Sequence, residues 1–160
     1  MATLNIAYAS PAAITATLTS LADGAYRQSA AVDNSVNLYV DALVGGSVQT
    51  GTSPTANTTI RVYAYGQRSD DGDYTAGASG SDAAYTADGE EGLLKLLEII
   101  VVDATSNQDY EWGPVSVAQA FGGILPRKWG LVVLNSTGAA LNATGTNNEQ
   151  KYVGIEYDSA

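Results

Sequence analysis

The side chains in this chain best equipped for chemistry are carboxylates and hydroxyls, because the sequence holds no His and no Cys. Without an imidazole or a thiol, a Ser or Thr nucleophile lacks its usual base. Lys95, Lys128 and Lys151 stand in no Ser-x-x-Lys pattern. Asp70, Asp71 and Asp73 flank Gly72 and resemble a fragment of a calcium loop, in which alternate carboxylates surround a hard cation at a tight glycine turn. The order DDGD lacks the alternating ligands before the glycine and the closing Glu, so it reads as an acidic turn. Glu90 and Glu91 are adjacent and diverge in any regular structure, which gives no basis for a two-carboxylate glycosidase. Phosphate-loop and dinucleotide fingerprints are absent. The expectation is a non-enzymatic protein with no catalytic residue, no metal and no cofactor. Its ten Tyr residues are the remaining chemical resource, since exposed rings can stack on sugars or pack at subunit contacts.

Charge narrows the partners. Seven basic residues stand against seventeen acidic ones, for a net charge of -10. So few cations cannot neutralise a run of phosphates, which argues against direct nucleic-acid binding. The acidity serves solubility and self-repulsion. No run approaches the ~18 apolar residues of a membrane span, and MATLNIAYASPAA carries no basic residue of the kind that opens an export signal. We therefore expect no membrane contact and no recognisable leader.

The elements that must position these residues read as strands. Residues 14–21 (ITATLTSL) alternate Ile14, Ala16 and Leu18 with Thr15, Thr17 and Thr19, the pattern of a half-buried strand. Residues 35–44 (SVNLYVDALV) repeat it, and Gly45-Gly46 is expected to end that strand. Residues 58–66 (TTIRVYAYG) form a third, and the loop between these last two is long enough to cross from one sheet to another. Residues 93–102 (LLKLLEIIVV) fit a helical face in part, but the second half reads as a strand, central in its sheet if buried on both faces, with a small helical turn near residues 92–96 as an alternative for its start. Gly113-Pro114 reads as a turn, and Ser116 as the cap of a short helix through Phe121, stopped by Gly122. Residues 129–134, 139–143 and 152–157 complete the strands. The fold class expected is all-β, an antiparallel β-sandwich of jelly-roll type with about eight strands and one short helical turn. The domain organisation is an extended arm at 1–13 and a single sandwich domain at 14–160. Within it, residues 69–92 hold seven acids, five glycines and no base, the composition of a long exposed loop.

Three runs carry a resemblance: LADGAYRQSAAVDNSVNLYVDAL (21–43), IRVYAYG (60–66) and GPVSVAQAFGGILPRKWGLVVLNSTGAAL (113–141). Together they are similar to a family of small β-sandwich virion structural proteins encoded among the head genes of tailed bacteriophages. That resemblance implies a capsid decoration, or cement, protein of the virion, bound to the outer surface of the major capsid protein lattice. It also implies a symmetric homo-oligomer such as a trimer. A head-tail connector or tail component, and a host-recognition module that binds carbohydrate on a fibre, are the alternatives.

Two segments are candidates for capsid or subunit contact. The arm is uncharged and mildly apolar, with Leu4, Ile6, Tyr8 and Pro11, and suits lying along a partner or adding a strand to a neighbour's sheet edge. The second is the corner Ile124, Leu125, Pro126, Arg127 and Trp129, which holds part of the one adjacent basic pair.

Overall fold

Alternation in residues 58–66 produces what it implies. Ile60, Val62 and Ala64 are fully buried on one face of a strand, and Tyr63 and Tyr65 lie on the other. The computed structural model describes residues 4–69 and 71–159. The start of the expected arm and Asp70 of the acidic turn lie outside the described residues.

In chain order the strands are β1 (Leu4–Tyr8), β2 (Ala12–Ile14), β3 (Tyr26–Gln28), β4 (Val32–Asp33), β5 (Asp41–Gln49), β6 (Thr58–Gly66) and β7 (Ala83–Tyr85). They continue as β8 (Lys95–Val102), β9 (Asp109–Ser116), β10 (Lys128–Ser136) and β11 (Gln150–Ser159), with one helical turn, α1 (Val117–Ala120), after β9. One sheet, here sheet A, runs β1-β11-β5-β9, with β2 also on β11. The other, sheet B, runs β7-β3-β10-β6-β8, with β4 on β10. Every pairing among the described strands is antiparallel. The sheets face each other across a core of Val44, Val48, Trp112 and Ala42 from sheet A and Ile60, Val62, Leu131 and Trp129 from sheet B. The fold is therefore an all-β antiparallel sandwich.

A second apolar cluster lies on the outer face of sheet B. Tyr65 and Val132 are covered there by Tyr74, Ala76, Ala78, Tyr85 and Leu94, all from the acidic segment and its flank. The expected exposed loop is thus in large part a cover: Asp71, Asp73, Asp88, Glu90 and Glu91 face water while Tyr74, Tyr85, Ala76 and Ala78 close over the sheet. Gln28 fastens it by two hydrogen bonds, Nε2 donating to Ser79 Oγ at 2.8 Å and Oε1 accepting from Ser79 N at 2.9 Å. Tyr85 donates to the Ala76 carbonyl at 2.7 Å. Asp82 ties the segment to the sandwich edge, accepting from Arg27 Nε at 2.7 Å, Thr17 N at 3.0 Å and Thr17 Oγ1 at 2.5 Å.

Several expected strands differ. Residues 15–21 carry the expected alternation, with Leu18 buried and Thr17 exposed, but they form the passage from sheet A to sheet B and only 12–14 is strand. Residues 35–40 are a loop held by Asn34, whose Oδ1 accepts from Tyr39 N at 2.8 Å, and Leu38 has a φ of 54°. The strand begins at Asp41 and passes through Gly45-Gly46, which were expected to end it. A Cβ at Gly46 would lie 2.1 Å from the Glu149 carbonyl oxygen, so glycine lets β5 lie this close to β11. β8 is an edge strand of sheet B, not a central one: Ile100 and Val102 point into the core, whereas Ile99 and Val101 are exposed. Gly113-Pro114 lies inside β9, and residues 139–143 contribute only a single bridge, Thr50 to Leu141. The helical turn follows its capping residue as read: Ser116 Oγ accepts from Gln119 N at 3.0 Å, and Gly122 takes a φ of 79°.

Candidate functional site

Among the described residues, none forms a cover over the outer face of sheet A like the one on sheet B. Its composition follows from β11, which is apolar at both parities. Tyr152 and Gly154 point inward, Tyr152 edge-on to Trp129 with ring centroids 5.4 Å apart and Gly154 making room for the Tyr39 ring. Val153, Ile155 and Tyr157 alternate with them and point outward. Directly opposite residues in an antiparallel ladder share a face. Tyr8 opposes Ile155, Ile6 opposes Tyr157, and Leu43 of β5 opposes Val153. The result is one contiguous apolar strip across β1, β11 and β5.

Its outer end is the barest part. β5 begins at Asp41 opposite Ile155, so β11 beyond that residue pairs with β1 alone. Leu4, Ile6, Tyr8 and Tyr157 on this two-stranded ribbon are 66%, 63%, 67% and 58% exposed. Asn5, Ala7, Glu156 and Asp158 occupy the opposite face of the ribbon. At its inner end the strip opens into a depression of about 440 Å³ between Tyr8, Leu43, Val153 and Pro114. Gly45 lines its floor, where a Cβ would meet the Trp112 carbonyl oxygen at 2.8 Å. Lys151 is the one charged residue lining it.

The structure brings Leu4, Ile6 and Tyr8 together on this strip and places Pro11, exposed, in the break between β1 and β2. The arm adds its strand to its own sheet. Two residues of the second candidate segment are corrected: Trp129 is fully buried and Leu125 nearly so, both within the core, so neither side chain is available to a partner, whereas Ile124 is exposed. Pro126 is half-buried, and its ring lies 2.8 Å from where a Cβ on Gly66 would stand. Arg127 is exposed. Lys128 Nζ pairs with Asp33 at 3.2 Å, and hydrogen bonds from Ser35 together with Lys128 hold that carboxyl at about 2.

Sequence reasoning missed Leu43, Val153, Ile155 and Tyr157. Their signal was present in YVGIEY, where apolar residues at both parities call for cover on both faces.

Elsewhere several acidic and hydroxyl groups are engaged in structure. Asp41 accepts from Ser116 Oγ at 2.6 Å and from Ala118 N at 2.9 Å, which fixes α1 against β5. Asp71 accepts from Ser69 Oγ, and Asp73 pairs with Arg68 at 3.4 Å. Among the described residues, no three Asp or Glu side chains gather as a metal site. Burial pushes the Tyr65 hydroxyl above its ordinary range, and it donates to the Ser29 carbonyl at 2.8 Å.

Compared with known proteins, the chain matches no family model, no curated protein and no solved structure.

Proposed function

We propose that this protein is a non-enzymatic virion component of a tailed bacteriophage, a capsid decoration protein that seats the outer face of sheet A on the major capsid protein lattice and stabilises the shell. The observation that carries this reading is the uncovered apolar strip from Leu4 to Leu43. Exposed apolar surface of this extent marks a protein contact in a chain whose opposite sheet its own residues cover. Many copies on a repeating surface multiply a modest contact, so each needs only a weak interface. The net charge of -10 favours solubility of the free protein before assembly.

In the same reading the sandwich is a jelly roll. Counting β1 with β2 and β3 with β4 as interrupted strands, and β7 as part of the inserted cover, leaves eight strands in two sheets of four. Their order, β1/β2-β11-β5-β9 over β3/β4-β10-β6-β8, sends β5 to β6, β8 to β9, β9 to β10 and β10 to β11 across the sandwich each time, which supports two interleaved Greek keys.

The test is to mix purified protein with undecorated capsids, sediment them and image the pellet. Regular density over the outer shell with raised heat resistance supports the reading. Absence of shell binding, or density confined to a vertex or tail, overturns it.

One observation favours a second reading. Tyr8, which lines the depression, and Tyr157 are diagonal neighbours on the same face, an arrangement on which a sugar ring can stack. Binding of host surface glycans, lost in Tyr157→Ala, would move the function to receptor recognition.

A further inference from the structure

We propose that β1 is the pairing edge for a second copy of this chain, antiparallel across a two-fold axis at Ile6. The hydrogen bonds of the fold set which backbone groups are free. Ala9 N donates to the Gly154 carbonyl at 2.9 Å and Val40 N to the Ile155 carbonyl at 2.8 Å. Backbone direction alternates along a strand, so Asn5 and Ala7 turn their N–H and C=O groups toward β11. Leu4, Ile6 and Tyr8 turn theirs outward, where the described residues supply no partner.

The other long edges are guarded against such pairing. β8 carries Lys95 and Glu98, and β9 carries Asp109 and Glu111, charges that discourage edge-to-edge association. β7 is three residues long. β1, LNIAY, has neither charge nor proline and stands at the end of sheet A. In a chain of net charge -10 a second copy meets repulsion over most of the surface, and this edge is where two copies can approach without opposing acids.

The edge is also complementary to itself. Turned by a two-fold axis normal to the sheet, Ile6 exchanges both backbone hydrogen bonds with its counterpart, and Leu4 comes opposite Tyr8 of the other copy. Side chains opposite each other share a face, so the two apolar strips join into one surface on one side of a continuous sheet. A two-fold pair, not a trimer, is the unit this edge builds. The inference stands apart from the shell reading, which concerns what the joined face then contacts.

The experiment is a mass measurement by sedimentation equilibrium of the free protein, without capsids, up to about 100 μM. Wild type is expected to dimerise. Ile6→Pro deletes an outward N–H while the β1–β11 ladder, made by Asn5 and Ala7, remains. Ile6→Lys places two like charges at the axis. Each is expected to weaken dimerisation at least tenfold with unchanged circular dichroism, and Val101→Lys on β8 is expected to leave it intact. A wild type that stays monomeric overturns the inference, as does a dimer that survives either Ile6 substitution or is lost equally in Val101→Lys. Capsid binding by a chain that never dimerises sinks this inference alone, and a dimer that ignores capsids sinks the shell reading alone.

Discussion

Ile6 and Tyr157 stand directly opposite each other on the β1–β11 ladder, both outward and both more than half exposed. Two large apolar side chains held side by side in water contribute little to the stability of the isolated chain. The double substitution Ile6→Ser with Tyr157→Ser is therefore expected to lower stability by less than about 1 kcal/mol. The same change removes the centre of the apolar strip, and sedimentation with undecorated capsids should show binding reduced at least tenfold. Undiminished binding would mean that sheet A is not the seat.

Asp82 gives a pH-dependent prediction. Burial alone would raise its pKa, but hydrogen bonds from Arg27 and Thr17 and the Arg27 charge outweigh burial and hold the carboxyl below its ordinary value. A carboxyl with a lower pKa in the folded state stabilises the fold above its unfolded pKa, about 3.9, and loses that effect as pH falls through the folded value. Asp82→Asn is expected to cost about 2 kcal/mol near neutral pH in urea unfolding. The difference from wild type should narrow as the pH drops below about 4. A cost that stays constant into acid would show that the charge on Asp82 is not what matters.

Gly130 lies opposite Tyr65, and a Cβ there would stand 2.4 Å from the tyrosine ring. Tyr65 is fully buried beneath the cover segment and has nowhere to move. Gly130→Ala is expected to cost about 1–3 kcal/mol through overpacking, and Tyr65→Phe about 1 kcal/mol through loss of its bond to Ser29. Thermal unfolding of both variants checks this. A neutral Gly130→Ala would mean that the ring yields.

Asp41 and Ser116 form one capping unit for α1. Asp41→Ala is expected to cost about 2 kcal/mol and Ser116→Ala about 1 kcal/mol, with the double variant costing less than the sum because each residue holds the other. Denaturant unfolding of the cycle measures that coupling. Strict additivity would show that the two contacts are independent.

How much of this was legible depended on whether a pattern was local. β6 and the Ser116 cap were, since strand alternation and capping need only neighbouring residues. The alternation in 15–21 implies burial, which holds, and a ladder, which does not form, because a passage between sheets can bury every second residue without pairing. Val36 and Leu38 look like core residues in composition, yet they are exposed in a loop that a left-handed backbone at Leu38 helps to turn. The charges of the acidic segment point to solvent, and the need of Tyr65 and Val132 for cover is invisible without knowing which face of sheet B they occupy. The candidate surface divided likewise. Leu4, Ile6 and Tyr8 stood out as an uncharged run, whereas Ile155, Tyr157 and Leu43 join them only through pairing between the two ends and the middle of the chain.

The cover on sheet B makes the molecule a tile with a glazed side and a bare side. Asp71, Asp73, Asp88, Glu90 and Glu91 are all exposed on the segment that forms the glaze. A particle tiled through the bare side would turn those carboxylates outward at every position, so decoration should increase its electrophoretic mobility toward the anode with each copy added.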